Sequence, residues 1–267
     1  EAYFNIGNLH RLECNYKEAI ELFKKSVELD NKLSIAKAAL MRCEAYICDW
    51  TFYERRKFWL ESLGIEGDAI NPLVAMSFQD NPSKHLLRAE NLYIKKLNVK
   101  SKNILLKTKQ KLRVGYFSAD FFNHATMHLM VRIFELHNKQ EFDIYAYDYG
   151  KNIADKMTER LKNSVSIYRK LKNFTDAEIV SLARDDNLDI AIDLKGHTFL
   201  NRISIFANRL APIQISYLGY PGSTGVAEMD YIIADKIIIP ERNKRFYSEK
   251  IINMPFCYQC NNNEKEI

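Results

Sequence analysis

Apolar and polar positions change their spacing near residue 112. From there on, short and nearly continuous apolar runs, typical of parallel strands buried on both faces, alternate with stretches of helical spacing. This alternation predicts an α/β domain of right-handed β-α-β units on a doubly wound, Rossmann-like sheet. The predicted strands are residues 113–118, 142–147, 166–169, 188–193, 213–218 and 231–234, and the predicted helices are residues 127–137, 154–162, 176–185 and 202–208.

The first third of the chain has only helical spacing. Gly7 and Ala19 are small residues that let two helices approach closely, and Phe23 fills the groove beside them. This hairpin resembles a tetratricopeptide repeat, and residues 34–45 continue as the first helix of a further unit. Such repeats stack in arrays of three or more, so we expect further repeats upstream. The predicted domains are tetratricopeptide-type helices at 1–60, a helical linker at 61–111, a Rossmann-like domain at 112–240 and the start of a truncated inter-domain segment at 241–267.

Charge and cysteine content narrow the choice of partner and compartment. The formal net charge is +5, but basic and acidic residues are interspersed, which indicates a solvated surface rather than a nucleic-acid site. No stretch reaches the ~18 apolar residues of a membrane span, so we expect no membrane partner. Five cysteines without a regular framework favour the reducing cytoplasm. Cys257 and Cys260 form a lone C-x-x-C, too little for a predicted metal or redox site.

Candidate chemistry follows the first predicted strand. Asp120 closes it, and His124 and His128 follow at steps of four residues. If a helix begins near Ala125, its free N–H groups can bind an anion such as a pyrophosphate, with Thr126 adding a hydroxyl. His124 at its mouth can donate to a phosphate or move a proton, and Asp120 can orient it. Neither G-x-G-x-x-G nor a Walker lysine is present. A capping aspartate and surface histidines remain an equal alternative.

Two further segments follow later strands. Gly196 allows close backbone approach beside His197, and Arg202 can bind an anion or pair with a carboxylate such as Asp193. The turn at residues 218–222 contains two glycines and a proline, which can expose backbone amides to a ligand. A purely structural crossover turn is equally consistent with this pattern.

Several long strings, in order, resemble the O-GlcNAc transferase family, including its SPINDLY-like and bacterial relatives. They are CDWTFYERR, LRVGYFSADFFNHATMHLM, IDLKGHTFLNR, RLAPIQISYLGYPGSTGVAEMDYIIAD and YSEKIINMP. The resemblance implies the amino-terminal half of a GT-B glycosyltransferase that needs no metal. It also implies inverting transfer of N-acetylglucosamine from UDP-GlcNAc to Ser/Thr hydroxyls of proteins, with acceptors bound through the helical repeats. SPINDLY-type members transfer fucose instead, so a GDP-fucose donor is the alternative.

The resemblance also assigns roles residue by residue. His124 matches an active-site histidine near the donor phosphates and the acceptor hydroxyl, and Asp120 matches a carboxylate proposed for proton transfer. The positions matched to donor binding are Ala125, Thr126, His197, Leu218 and Gly219.

Two features depart from the family pattern. Leu73 stands where animal enzymes carry a linker histidine proposed as base, which shifts any proton role to His124, Asp120 or the phosphate. The sequence ends near the point where the second Rossmann domain of the family begins, so we expect these 267 residues alone to be inactive. A non-enzymatic interaction module, with repeats attached to a degenerate Rossmann domain, is the competing class.

Overall fold

The computed structural model describes residues 1–97, 104–105 and 110–264. The chain divides into two compact units, Glu1–Lys96 and Leu97–Ile267. Of the linker predicted at residues 61–111, residues 98–103 and 106–109 lie outside the described residues. Among the helices that the structure describes, none is long and apolar enough to cross a membrane.

The first unit is helical. At the predicted close approach of its first two helices, a Cβ atom on Gly7 would lie 2.8 Å from the Phe23 ring. Asn71 and Asn81 cap the two helices that begin with a proline, each accepting a hydrogen bond from a backbone N–H of the first turn. The helices are α1 (Ala2–Leu12), α2 (Tyr16–Leu29), α3 (Ser34–Tyr46), α4 (Tyr53–Arg56), α5 (Pro72–Met76) and α6 (Pro82–Leu92), with a 3₁₀ turn at Lys57–Glu61 and a π-helical segment at Tyr93–Leu97.

The second unit contains one parallel sheet of seven strands in the order β3-β2-β1-β4-β5-β6-β7, as the α/β prediction requires. Its strands are β1 (Leu112–Ser118), β2 (Phe142–Asp148), β3 (Ile167–Lys170), β4 (Ile190–Asp193), β5 (Ile213–Ser216), β6 (Tyr231–Ala234) and β7 (Lys250–Asn253). The helices beside it are α7 (Ala125–Leu136), α8 (Lys156–Ser164), α9 (Asp176–Asp185) and α10 (Ser204–Ala207), with a 3₁₀ turn at Glu241–Phe246.

Helix α7 begins two residues earlier than predicted, and helices α8 and α10 begin two residues later. Among the strands, the structure differs from the prediction by more than one residue at three places. β7 was not predicted, and it lies inside the segment assigned to the inter-domain region at 241–267. β5 ends at Ser216 because Leu218 takes a left-handed backbone conformation, with φ of 66°. β4 begins at Ile190, two residues later than predicted, and the Asp189 carboxylate just before it accepts a hydrogen bond from the Arg113 backbone N–H.

The apolar core of the sheet unit packs α7 against β1 and its neighbours. Met127, Met130, Val131 and Phe134 of α7 are fully buried. Thr175 and Glu178 form the predicted capping box at the start of α9. Because β1, β4 and β5 are neighbours, the loops at their carboxyl ends meet at one edge of the sheet.

Candidate active site

His124 is the N-cap residue of α7. Its Nδ1 atom accepts a hydrogen bond from the backbone N–H of Thr126 at 3.2 Å. An N–H group can only donate, so Nδ1 carries no proton while it makes this bond. The proton of the neutral ring is therefore on Nε2. The side chain is 40% exposed, so the site presents an imidazole N–H donor at the start of a helix, where backbone dipoles favour negative charge.

Asp120 follows β1 and is almost fully buried. Its Oδ2 atom lies 2.6 Å from the ammonium nitrogen of Lys195 and 3.7 Å from Nδ1 of His124. Only the first distance is a hydrogen bond. The carboxylate is therefore an ion-pair partner of Lys195 that stands behind the histidine without bonding to it.

Lys195 reaches Asp120 from the loop after β4. The Lys195 side chain is 7% exposed, so the ion pair is shielded from water on both sides. The backbone N–H groups of Lys195 and Gly196 both donate to the Asp193 carboxylate, at 3.0 and 2.7 Å. These bonds fix the main chain from which the ammonium group extends.

Asp193 itself ends β4 inside the protein. Burial raises its pKa to about 6, although the two N–H donors and the charge of Lys195 oppose that shift. Arg202 pairs with a carboxylate, which was one of its two predicted roles, but the partner is not Asp193. Arg202 instead bonds to the Asp176 carboxylate, 2.7 Å from its Nε atom, because the first turn of α9 lies beside it.

His197 is buried, with 2% of its surface exposed. Its Nε2 atom lies 2.8 Å from the carbonyl oxygen of Thr224, and its ring meets that of Tyr220 edge-on at 5.1 Å. Burial lowers the pKa of His197, so the ring is neutral and donates to the carbonyl. His197 thus links the loops after β4 and β5, while its predicted donor contact stays a prediction.

Leu218 and Gly219 bring the loop after β5 onto the loop after β4. A Cβ atom on Gly219 would lie 1.9 Å from the carbonyl oxygen of Leu194, so only glycine fits. Leu218 is a non-glycine residue with positive φ, a conformation that costs energy and persists only where the surrounding structure holds the backbone in place. The structure therefore places these two residues beside the Lys195 segment.

The structure places some of the predicted site residues beside His124 and others elsewhere. Ala125 and Thr126 form the first turn of α7 next to His124, as predicted. His128 makes no hydrogen bond with the His124 ring among the described residues, and its Nε2 atom bonds to the Asn123 side chain at 2.7 Å. Within residues 1–97, 104–105 and 110–264, no group of three or more His, Cys, Asp or Glu side chains is arranged to hold a metal ion.

Lys195 is the residue that the sequence reasoning missed. The signal is one lysine in the string IDLKGHT, two residues after the end of a buried strand. An ammonium group at such a position needs a buried carboxylate. Its partner lies 75 positions earlier in the chain, so spacing cannot reveal it.

Comparison with known proteins matches two families in the order seen in the structure. A tetratricopeptide repeat model matches residues 1–33. The model of glycosyl transferase family 41 matches residues 83–265, more than half of the chain, and so covers the whole sheet and the loops described above. The chain belongs to glycosyl transferase family 41.

Relatives of this family 41 chain carry consistent names. A probable UDP-N-acetylglucosamine–peptide N-acetylglucosaminyltransferase SEC from Arabidopsis thaliana is 34% identical over 152 residues, covering 57% of this chain and 16% of the relative. The enzyme named UDP-N-acetylglucosamine–peptide N-acetylglucosaminyltransferase from Caenorhabditis elegans is 30% identical over 234 residues, covering 79% of this chain and 20% of the relative.

A solved structure supports the fold of the family 41 chain. A mutant of the Thermobaculum terrenum O-GlcNAc transferase superposes with a TM-score of 0.74 over 97% of this chain, at 24% sequence identity. The chain spans 51% of that structure's length and a fifth or less of the two curated relatives.

Proposed function

We propose that the full-length protein containing this chain transfers N-acetylglucosamine from UDP-GlcNAc to Ser/Thr hydroxyls of proteins, with inversion at the sugar carbon. The family and the names of its relatives support the reaction class and the donor. The observation that carries the proposal for this chain is His124. Its ring caps α7 through Nδ1 and presents a donor from Nε2 at the carboxyl edge of the sheet.

The proposed step is a single displacement. The acceptor oxygen forms a bond to C1 of the sugar while the bond from C1 to the β-phosphate oxygen breaks, and UDP leaves with the electron pair. Negative charge grows on the phosphate, where fixed N–H donors stabilise it. His124 Nε2–H supplies such a donor, and so does the backbone N–H of Ala125, the one first-turn N–H of α7 that makes no hydrogen bond within the described residues. Thr126 adds a hydroxyl.

The proton of the acceptor hydroxyl must leave during this step. His124 is a poor acceptor for it, because Nδ1 is occupied by the Thr126 N–H and Nε2 already carries a proton. Asp120 is equally poor, because its carboxylate is paired with Lys195. We propose that the proton passes to an oxygen of the departing phosphate, directly or through water.

The proposal includes no resident metal. The ammonium of Lys195 already occupies Asp120, the buried carboxylate nearest His124, and so leaves it unavailable as a metal ligand. Protein acceptors bind through the helical repeats in this proposal. A reducing compartment such as the cytoplasm is supported by five cysteines in thiol form.

A donor screen tests the proposal. The thermal midpoint of the full-length protein is measured with UDP-GlcNAc, UDP, GDP-fucose and GDP, and transfer to an acceptor protein is followed by intact mass. We expect stabilisation by the uridine compounds and addition of N-acetylhexosamine. Stabilisation by the guanosine compounds alone would establish the fucose alternative. Absence of any shift and of any transfer would indicate an interaction module.

A further inference from the structure

We propose that Lys195 is a positioning residue for His124: by neutralising Asp120, it keeps the imidazole capped at Nδ1 and donating from Nε2. The consequence for sugar transfer rests on the proposed function. The charge relationship itself rests only on the three side chains and their distances.

The first step of the argument is that one carboxylate oxygen faces two nitrogens. Oδ2 of Asp120 lies 2.6 Å from Lys195 Nζ and 3.7 Å from His124 Nδ1. The Asp120 side chain is 9% exposed, so water cannot replace a lost partner. Without the ammonium, the nearest group able to compensate the carboxylate is the imidazole.

The second step is that His124 cannot serve both partners. To bond to Asp120, Nδ1 must carry a proton, but a protonated Nδ1 cannot accept from the Thr126 N–H. The cap of α7 would then be lost and the ring would turn toward the carboxylate. Lys195 therefore decides which of two hydrogen bonds the histidine makes.

The third step concerns the other groups near the ring. Thr126 and the Phe122 ring, whose centroid is 5.6 Å from that of His124, are neutral. Tyr149 lies within range of the Asp120 and Asp193 charges, and burial raises its phenol pKa well above 10, which keeps it neutral. Two further ionisable groups contact the adjacent Asn123: the Asp155 carboxylate accepts its backbone N–H at 2.6 Å, and His128 Nε2 lies 2.7 Å from its side-chain oxygen. Both are the same in every variant compared below, so differences between the variants report the Asp120–Lys195 pair.

Histidine C2–H exchange, read by mass spectrometry in D₂O at a series of pH values, tests the claim in the full-length protein without any need for activity. It gives a protonation midpoint for each ring. We expect Lys195→Met to move the His124 midpoint up by about one pH unit or more, since an opposite charge at this range has that effect once unopposed. Asp120→Asn leaves the ammonium alone and should move the midpoint down.

Two control variants complete the design. Lys195→Arg keeps the charge, and the double variant Asp120→Asn with Lys195→Met removes both charges, so both should stay within about 0.3 pH unit of the wild type. If Lys195→Met does not fold, the downward shift of Asp120→Asn relative to the wild type and to Lys195→Arg still tests whether the charge pair sets the His124 midpoint. Equal midpoints in all folded variants would overturn the proposal.

Transfer kinetics give a second, separable measurement. We expect Lys195→Met to lower kcat at least tenfold and Lys195→Arg to recover most of it. If the wild type transfers no sugar, the proposed function fails while the exchange experiment still decides the role of Lys195. Shifted midpoints with unchanged kcat would overturn its importance for transfer.

Discussion

The Nδ1 atom of His124 lies 3.2 Å from the backbone nitrogen of Thr126 and accepts its hydrogen bond. One nitrogen of the ring, Nδ1, thus caps α7, and the other, Nε2, is the one that we propose donates to the phosphate of the sugar donor. Substitutions that preserve one function and remove the other can separate the two.

Asparagine is the substitution that preserves the cap. Asn is among the best N-cap residues and can accept a hydrogen bond from the Thr126 N–H. The free energy of unfolding of His124→Asn should therefore lie within about 0.5 kcal/mol of the wild-type value. His124→Ala removes the acceptor and should cost about 1 kcal/mol. Both variants lose the imidazole, and we expect transfer by the full-length protein to fall about 100-fold or more in each. High activity of His124→Asn would limit the ring to a capping role.

Gly219 is predicted to tolerate no side chain. Its Cβ position lies 1.9 Å from Leu194 O, so Gly219→Ala must displace the segment that carries Lys195. We expect a loss of about 3 kcal/mol of stability and faster backbone hydrogen exchange at residues 190–200. Gly67→Ala is the control, because a Cβ there meets nothing within 4 Å, although its φ of 65° adds strain of its own. Unchanged exchange at residues 190–200 in Gly219→Ala would contradict the close approach.

His197→Phe should lower stability in a pH-dependent way. The phenyl ring can keep the edge contact with Tyr220 but leaves the Thr224 carbonyl without its donor, a loss of about 1–3 kcal/mol at pH 7. Burial lowers the pKa of His197, so the unfolded wild type takes up a proton below about pH 6.5 that the folded state does not. The contribution of the His197 ring to the free energy of unfolding is therefore complete above that pH and declines as the pH falls.

The difference in free energy of unfolding between the wild type and His197→Phe should therefore become smaller as the pH falls, by at most about 1.4 kcal/mol per pH unit below 6.5. Urea unfolding at pH 7.5, 6.5 and 5.5 measures it. His128→Gln, a change at an exposed ring, is the control and should stay within about 0.5 kcal/mol of the wild type at pH 7.5. A difference that grows toward low pH would contradict a buried neutral His197.

Element types were predictable because each sheet strand from β1 to β6 carries its own local signal. Long apolar runs such as that ending at Ser118 indicate buried parallel strands, and Thr175 with Glu178 indicates a helix start. β7 has no such signal, since exposed residues alternate with partly buried ones and none of its four residues is fully buried. The left-handed backbone at Leu218 was equally hidden, because it results from contact between two loops.

The site was predictable only as a list of residues at strand ends. The family resemblance pointed to His124 and Asp120, but their roles depend on which atom bonds to which. The Lys195 ammonium that pairs with Asp120 comes from another loop, and Arg202 finds Asp176 rather than Asp193. Such choices among charged partners follow from the packing of loops, which no local pattern in the sequence specifies.

The most direct test of the account is the rate of N-acetylglucosamine transfer by full-length wild type and His124→Asn, measured by intact mass of an acceptor protein with saturating UDP-GlcNAc. Binding of UDP is measured in parallel by calorimetry. The account predicts transfer by the wild type, a decrease of at least about 100-fold in the variant, and UDP affinity within about threefold. Equal transfer rates, or no transfer by the wild type from UDP-GlcNAc, would contradict it.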